Sequence, residues 1–587
     1  MKSGDIIELS IDSIAFGGAG VGRYFDPGVD PASGTGPSKG MAVFVEDTVP
    51  GDKLRVRIGS KKRNYAIGYA EEFLQKSPGR IEPRCKHFGT CGGCSLQYLP
   101  YEQQLRIKEQ QVRDAMKRIG GFDEEVVVPI IGCKEPWFYR NKMEFSFSRT
   151  PGTEHEQGKL CLGLHVRRRH HDVTELEECF LQGSYIGEFV LRLRDFFRKM
   201  DADGRIVAGM KPVSLVVREG KRTGEILVNL IFENGEPDFL DGFVKEIQVQ
   251  GFPKKSPVQK IAAIYFTNIT NVKGSPKSVT EKLLWGENVI REELQMENGV
   301  RLKFEISPQA FFQPNTLQAE LLYGEVLKAA SLSEKEVVYD LYCGAGTIGI
   351  FCSHASKKVL GIEMNESAVK NARANADLNG INNIEFVWGD VGNILDGLTE
   401  QNSSERPDVI IVDPPRNGLD PKALDLTAQF SAGRIVYVSC NPTTLARDLQ
   451  LFTKTGYKLL RVQPVDMFPH TYHIECVAVL NKDVTGSIYL LFFAGALLSA
   501  LYPSQQVTKW FIVPDKTKKK KIIPSSGASR KTLFSRGAAG LKTINGCSPK
   551  KDQTNIAAII SAFTASKAPT TFASNERNLG LNIGKMG

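Results

Sequence analysis

The first 75 residues alternate apolar and polar positions in short runs, DIIELSIDSIAF, MAVFVEDTVP, KLRVRIGS and YAIGYAEEFL, separated by glycine turns. A period of two over four to eight residues predicts half-buried strands, and several such strands close together predict a small antiparallel barrel. The stretch GGAGVGR reads as a hairpin or bulge, because no helix-period pattern follows it and no Gly-Lys-Ser/Thr closes it. Residues 26–40, DPGVDPASGTGPSKG, read as a loop. From 80 to 330 the pattern is mixed: a polar helical segment, YEQQLRIKEQQVRDAMKRIGG, several strands, and the basic run HVRRRHHDV, which is either solvated surface or a phosphate contact.

Between 331 and 482 the character changes. VVYDLY, KVLGIEM, NIEFVWGD, DVIIVDPP and RIVYVSC are strand-like runs, and NESAVKNARANADLNG between them is a helix with an Asn cap and a terminal glycine. Strand and helix in alternation predict an α/β, Rossmann-like domain with a mostly parallel, doubly wound sheet and ligands off the carboxyl ends of its strands. Residues 483–587 change again, to an apolar run, KTKKKK and Ser/Ala/Gly/Thr-rich sequence, and read as a disordered basic tail. The run Ile488 to Tyr502 is shorter than the roughly 20 residues of a spanning helix, so membrane contact is not expected.

Charge sharpens this division. The net charge of +9 suggests nucleic acid, but from Asp483 onward there are 15 Lys+Arg against 4 Asp+Glu, which leaves about −2 for the first 482 residues. Any electrostatic footprint on the body is therefore a local patch. Eleven cysteines in 587 residues do not make a disulfide scaffold, and MKSGDIIELS has the pattern of neither a signal nor a transit peptide. The expectation is a cytoplasmic or other reducing compartment, a monomer, and no obligate protein partner.

GAGTIG, Gly344 to Gly349, follows a strand, and Glu363 ends the next strand 19 residues after Gly344. That spacing fits an acid on a ribose hydroxyl, and alone it fits a dinucleotide as well. The fuller form DLYCGAGTIGI, with WGD closing the third strand and DPPR the fourth, points to S-adenosylmethionine. The glycines then approach the amino-acid part, Glu363 the ribose and Asp390 the adenine.

Strand RIVYVSC ends on Cys440 and is followed at once by Asn441-Pro442. VDPPRNGLD is similar to the signature of amine methyltransferases, but its fourth position is Arg416, and an amine acceptor has no use for a cysteine. A ring carbon does. Carbon 5 of uracil is too weak a nucleophile to take a sulfonium methyl until a thiolate adds to carbon 6, and the carbon 5 proton must then leave to a base. Glu475 in HIECVAVL is the candidate base, and a helix opening at Asn441-Pro442 would favour the Cys440 thiolate.

With FFQPN, DLYCGAG, DPPRNGLD, SCNPTTLARDL and HIECV in this order over residues 1–482, the chain resembles the RNA uracil-5-methyltransferase family. The resemblance implies Cys440 as nucleophile and Glu475 as base, with Gln313, Tyr342, Gly344, Thr347, Glu363, Asp390 and Asp413 around S-adenosylmethionine. It implies an OB-like TRAM barrel over 1–75, with KKRNY (Lys61 to Tyr65) toward RNA, and a methyltransferase domain over 331–482. It implies a central α+β domain over 80–330 in which Cys85, Cys91, Cys94 and Cys179 hold a 4Fe-4S cluster; four thiolates of this spacing fit zinc equally by their chemistry. YRNKMEFSFS, from Tyr139, would line the RNA cleft, and Phe311, Phe312 and Phe468 are candidates to stack on a flipped uracil. Members with both barrel and cysteine cluster resemble ribosomal-RNA enzymes, so large-subunit ribosomal RNA is favoured over transfer RNA. The open alternatives are an iron-sulfur oxidoreductase with a dinucleotide and a non-catalytic RNA-binding factor.

Overall fold

The computed structural model describes residues 1–25, 40–150, 158–207, 209–252, 256–271, 277–400 and 406–483, all within one compact unit. The expectations for the 26–40 loop, except at Gly40, for the apolar run Ile488 to Tyr502 and for the tail, except at Asp483, fall outside these residues. No helix among the described residues is long and apolar enough to cross a membrane.

The alternating start folds into six strands in the order Ile6–Ser10, Lys53–Lys61, Tyr65–Gln75, Met41–Val45, Gly20–Tyr24, Ser13–Ile14, antiparallel as expected except that Met41–Val45 runs parallel to Tyr65–Gln75. Lys53–Lys61 sets out its period of two, with Leu54, Val56 and Ile58 buried and Lys53, Arg55 and Arg57 exposed. Only two residues separate the first and last strands in this order, and the Asp12 N–H donates to Val21 O at 2.9 Å, so the two edges of the sheet are one stretch of chain. The approach is close enough that a Cβ on Gly22 would lie 2.2 Å from Ser10 O. GGAGVGR is a hairpin turn, with Gly17 and Gly18 at positive φ.

The middle of the chain forms a seven-stranded sheet in the order Ser278–Gly286, Lys260–Thr270, Glu225–Glu233, Lys211–Glu219, Lys142–Arg149, Leu160–Val166, Arg169–Glu175. Its apolar face, with Val217, Val228 and Met143, packs under the helices Ser184–Ala202 and Leu240–Gln250. Its other face turns toward the third sheet, with which Leu227 and Ala263 share a core.

The third sheet has the order Ile384–Trp388, Lys358–Glu363, Val337–Leu341, Val409–Val412, Arg434–Ser439, Glu475–Lys482, Tyr457–Val465. Its first five strands are parallel, and Glu475–Lys482 is antiparallel to both neighbours. Helices cover both faces, as the near-continuous burial of VVYDL, VIIV and RIVYVS requires. The helix Thr316–Ala330 packs on this sheet. Asn365 caps the helix Glu366–Leu378 through Ser367 N and Ala368 N, as its sequence predicts.

The polar helix Tyr101–Ala115 is not a surface helix. It buries Gln104, Lys108 and Gln111 and packs against Pro442–Lys454, then ends in a π turn, Met116–Gly120. Lys108 Nζ lies 2.6 Å from Asp466 Oδ1, both side chains at 0% exposure, and also donates to Phe468 O at 3.1 Å. Tyr101 donates to Asp466 Oδ2 at 2.8 Å. Removing one member of a buried pair strands the other's charge and costs about 3–5 kcal/mol, whereas replacing both by uncharged groups is often neutral. Lys108→Met should therefore lower the melting temperature sharply, and Lys108→Met combined with Asp466→Asn should recover most of the loss in thermal denaturation. Additive losses in the double variant would refute the pairing.

Candidate active site

The strand order reverses at Val337–Leu341, the position at which doubly wound sheets open a crevice. The chain leaves this strand through Tyr342 at φ 64°, Gly344 at 54° and Gly346 at 78°. Such backbone is costly for any residue but glycine, and a Cβ on Gly346 would lie 2.6 Å from the Phe386 ring. Glu363 ends the neighbouring strand and accepts from Gly344 N at 3.1 Å and Asn365 N at 2.7 Å, which fixes its carboxylate beside the glycine turn. Thr347 opens the helix Thr347–Ser353. Asp390 precedes the helix Val391–Glu400 and accepts from Asn393 N at 3.0 Å. Gln313 is buried in the loop before Thr316–Ala330, where its backbone carbonyl accepts from Asn141 Nδ2 at 2.9 Å. Asp413 follows the next strand, Val409–Val412.

Cys440 stands one residue beyond Arg434–Ser439, half-buried. Asn441 caps the next helix, its Oδ1 accepting from Thr443 N at 3.0 Å, and Pro442 takes the first helical position. Asn441 Nδ2 and Thr444 Oγ1 both donate to Arg416 O, at 3.1 and 3.3 Å, so the DPPR loop is stitched to the Cys440 turn. Ser439 pairs with Cys476 across the antiparallel junction, and one further step of that register sets Cys440 opposite buried Glu475.

Two acids, Asp413 and Glu475, thus share one region of charge with the Cys440 thiol, and Asp340 adjoins Asp413. Burial pushes Asp413 up to about 7, and it raises Glu475 well above the usual carboxylate range with help from Asp413. Burial, then Glu475, pushes the Cys440 thiol up to about 11; Arg416 opposes them and does not prevail. The helix N-terminus was expected to favour the thiolate, and here desolvation and the neighbouring carboxyl groups outweigh it. Asp340 is also buried and is held up to about 8 by burial and Asp413, which outweigh the Gly349 backbone N–H that holds it down. Burial and Arg416 hold His473 down to about 4.

Arg416 and His473 are site residues that the sequence reading passed over, although Arg416 stands in DPPR and His473 two positions before Glu475. Of the aromatic candidates, Phe311 is 69% exposed and Phe468 half-buried. Phe312 is core instead, packed 5.7 Å from the Phe304 ring at 5% exposure. The basic run lies on the hairpin of Leu160–Val166 and Arg169–Glu175, and most of its arginine charge is already spent. Arg167 pairs with Asp47, Arg168 with Glu46 and Asp47, and Arg169 with Asp172.

Cys85, Cys91, Cys94 and Cys179 line one pocket, with Phe88, Leu164, Leu176, Phe180 and Leu181. Burial first, and the other thiols after it, pushes Cys91 up to about 11 and Cys94 up to about 12. Among the described residues no group of three or more His, Cys, Asp or Glu side chains is already arranged to hold a metal ion, and all described cysteines are free.

Residues 254–483 match the family model described as tRNA (Uracil-5-)-methyltransferase. A protein of Clostridium tetani described as an uncharacterized RNA methyltransferase is 36% identical over 493 residues, 83% of this chain and 99% of its own. One of Halalkalibacterium halodurans, described likewise, is 36% identical over 483 residues, 82% and 98% of the two chains. The crystal structure of Pyrococcus abyssi tRNA (uracil-54, C5)-methyltransferase in complex with S-adenosyl-L-homocysteine is similar at a TM-score of 0.56 and 27% identity, over 81% of this chain and 100% of that one.

A thiol held near 11 gives an alkylation rate that rises about tenfold per pH unit through neutrality with no plateau below about pH 9. Because Glu475 helps to hold the thiol up, Glu475→Gln should shift this curve toward lower pH. Iodoacetamide labelling of Cys440 followed by mass spectrometry measures both, and a wild-type plateau near pH 7 would contradict the assigned environment.

Proposed function

This chain belongs to the RNA uracil-5-methyltransferase family, as an S-adenosylmethionine-dependent enzyme, and from that premise we propose that it forms 5-methyluridine through a covalent adduct at Cys440, with Glu475 as base. The observation that carries the reading is the register that sets Cys440 against Glu475, two strands along the same carboxyl edge of the sheet from the glycine turn.

In this reading Gln313, Tyr342, Gly344, Thr347, Glu363, Asp390 and Asp413 bind S-adenosylmethionine, which supplies an electrophilic methyl group. The Cys440 thiolate adds to uracil carbon 6 while Glu475 is protonated, since the two cannot both be charged cheaply in one buried site. The resulting enolate uses carbon 5 to displace the methyl group. Sulfur is then a neutral thioether, the pressure on Glu475 falls, and it releases its proton to solvent. The carboxylate takes the carbon 5 proton, the carbon 5 to carbon 6 double bond re-forms and the thiolate leaves. One proton is released overall, and Arg416 is the cation facing the shared charge.

The N-terminal sheet is read as the OB-like TRAM module, with exposed Lys62, Arg63, Tyr65 and Tyr69 toward RNA. The four-cysteine pocket is read as the seat of a 4Fe-4S cluster, with zinc the alternative. Four thiols buried among apolar side chains and raised by one another fit a cationic group that takes them as thiolates. Bound there, it supplies a structural crosslink and redox capacity that the methylation does not consume. Protein purified without oxygen should carry iron and acid-labile sulfide by elemental analysis, both lost in Cys91→Ser; zinc in their place would replace this assignment.

Large-subunit ribosomal RNA is the proposed target. Transfer RNA is the second reading, favoured by the Pyrococcus abyssi enzyme, whose name specifies tRNA and whose likeness extends over 81% of this chain. Incubation with S-adenosylmethionine and 5-fluorouridine-containing RNA of either kind tests mechanism and target together, because fluorine cannot leave as a cation and elimination stalls. The expected result is a methylated RNA adduct on Cys440 by mass spectrometry, absent in Cys440→Ala. No adduct with either RNA, despite bound S-adenosylmethionine, refutes the covalent reading.

A further inference from the structure

A fully buried cation in the central sheet lacks a counter-charge among the described residues. Arg218, on the strand Lys211–Glu219, is 1% exposed. Its Nη2 donates to Ala310 O at 2.7 Å, while Nε and Nη1 have no partner among the described residues. Burial lowers its pKa only to about 10, so it stays charged at neutral pH. No carboxylate among the described residues pairs with it. A buried, unpaired guanidinium with two idle donors is costly, and native proteins rarely keep one without a ligand to meet it.

The register says which way it points. Arg218 lies opposite Leu227 on one side and Lys142 on the other. Leu227 belongs to the core shared with the catalytic sheet, whereas Val217, one residue earlier, belongs to the core on the far face. Arg218 and Lys142 therefore stand side by side on the face turned to the catalytic sheet. Their charges conflict: Lys142 is half-buried and held down by burial and by Arg218, with only exposed Glu144 in its favour. The Ala310 carbonyl belongs to the segment that continues through exposed Phe311 to Gln313, and Asn141, next to Lys142, holds that segment through Gln313 O and Thr316 Oγ1 at 2.9 and 3.0 Å.

We propose that Arg218 and Lys142 form an oxyanion-binding site beside this segment, and that its ligand is a backbone phosphate of the substrate RNA close to the uridine presented to Cys440. This rests on the RNA methylation reading and deepens it. An idle Nε or Nη1 together with the second N–H of Nη2 makes one fork of the planar guanidinium, which suits two oxygens of one phosphate, and the lysine adds a second charge to the same group. Half-buried Lys142 and exposed Phe311 are the side chains that turn aside to admit it.

The test is Arg218→Met in the full chain, which removes the charge while keeping an apolar stem, with Lys142→Gln as a second variant. Affinity for the RNA that wild type methylates is measured by fluorescence anisotropy across a salt series, S-adenosylmethionine affinity by calorimetry, and KM and kcat separately. Each variant is expected to bind that RNA about tenfold more weakly near 0.1 M salt, with the log-log salt slope reduced by about 1. KM for RNA should rise with kcat little changed, and S-adenosylmethionine affinity should be unaltered. If Arg218→Met does not fold, the lysine variant carries the same expectation. Unchanged RNA affinity and salt slope in a variant of an enzyme that methylates that RNA overturn the site and leave the methylation reading standing. A loss confined to S-adenosylmethionine affinity also overturns it, assigning the anion to the donor's carboxylate. A wild-type protein that methylates neither RNA overturns the reading beneath it.

Discussion

Everything at the site depends on one reversed strand. Had Glu475–Lys482 run parallel to Arg434–Ser439, its carboxyl end would have met Cys440, and Glu475 would have stood at the far edge of the sheet. Antiparallel pairing brings the first residue of one strand to the last of the other. Because Ser439 and Cys476 are already partners, the next residues out are a thiol and a carboxyl group with nowhere to go but toward each other. Asp413, ending the strand on the other side, completes a group of acids around one cation, Arg416. The raised ionisations follow from this crowding, and so does the order of the proposed chemistry, in which the carboxylate ionises only after sulfur has lost its charge.

A reversed strand needs a return path, and the path 466–474 is anchored in the core by Met467 and Ile474. Between these anchors, polar contacts from sequence-distant elements fix its course. Lys108 and Tyr101 grip Asp466, Gln104 Oε1 accepts from His470 N, and Tyr139 donates to Pro469 O. Ser95 N and Leu96 N both donate to His470 O, which ties the segment after Cys94 to the loop that leads into Glu475. His470 takes a left-handed backbone, φ 65°, and stacks 3.6 Å from the Trp137 ring. Buried ion pairs add little net stability, so the use of this one is positional: it sets where the strand carrying the base begins. The cysteine pocket and the catalytic register are in this way parts of one mechanical unit.

Much of this was legible because it is local. The Asn365 and Asn441 caps, the glycines at Gly344 and Gly346 and the period-two strands each obey rules that operate within a few residues. What escaped the sequence is long-range or many-body. The helix Tyr101–Ala115 looks like surface because its buried face is Gln104, Lys108 and Gln111, and their partners, Asp466 and His470 among them, lie far along the chain. Phe312 and Phe311 are adjacent in sequence, and only packing sends one into the core and the other outward. The Cys440 thiol was misjudged in direction because a helix end is visible in the sequence, whereas a carboxyl group facing it across a strand pair is not. Arg218 escaped notice inside the strand-like run LVVRE, where the apolar neighbours hide an unpaired charge.

Attraction for RNA has to be reconciled with a body whose formal charge is about −2. The most conspicuous basic run contributes little, since Arg167 and Arg168 are occupied with Asp47 and Glu46 and fasten the central hairpin to the N-terminal sheet. Some of the cations without an ion-pair partner among the described residues are more telling: Lys62 and Arg63 at the first sheet's hairpin, Arg416 beside the thiol, and Arg218 with Lys142 on the face of the central sheet turned to the catalytic one. Free cations dispersed over the three sheets, rather than massed in one patch, suit a polyanion that touches each sheet in turn. A single patch would hold RNA anywhere along its length. Separated contacts of fixed geometry admit only a strand bent to meet them all, which is what bringing one uridine to one thiol requires.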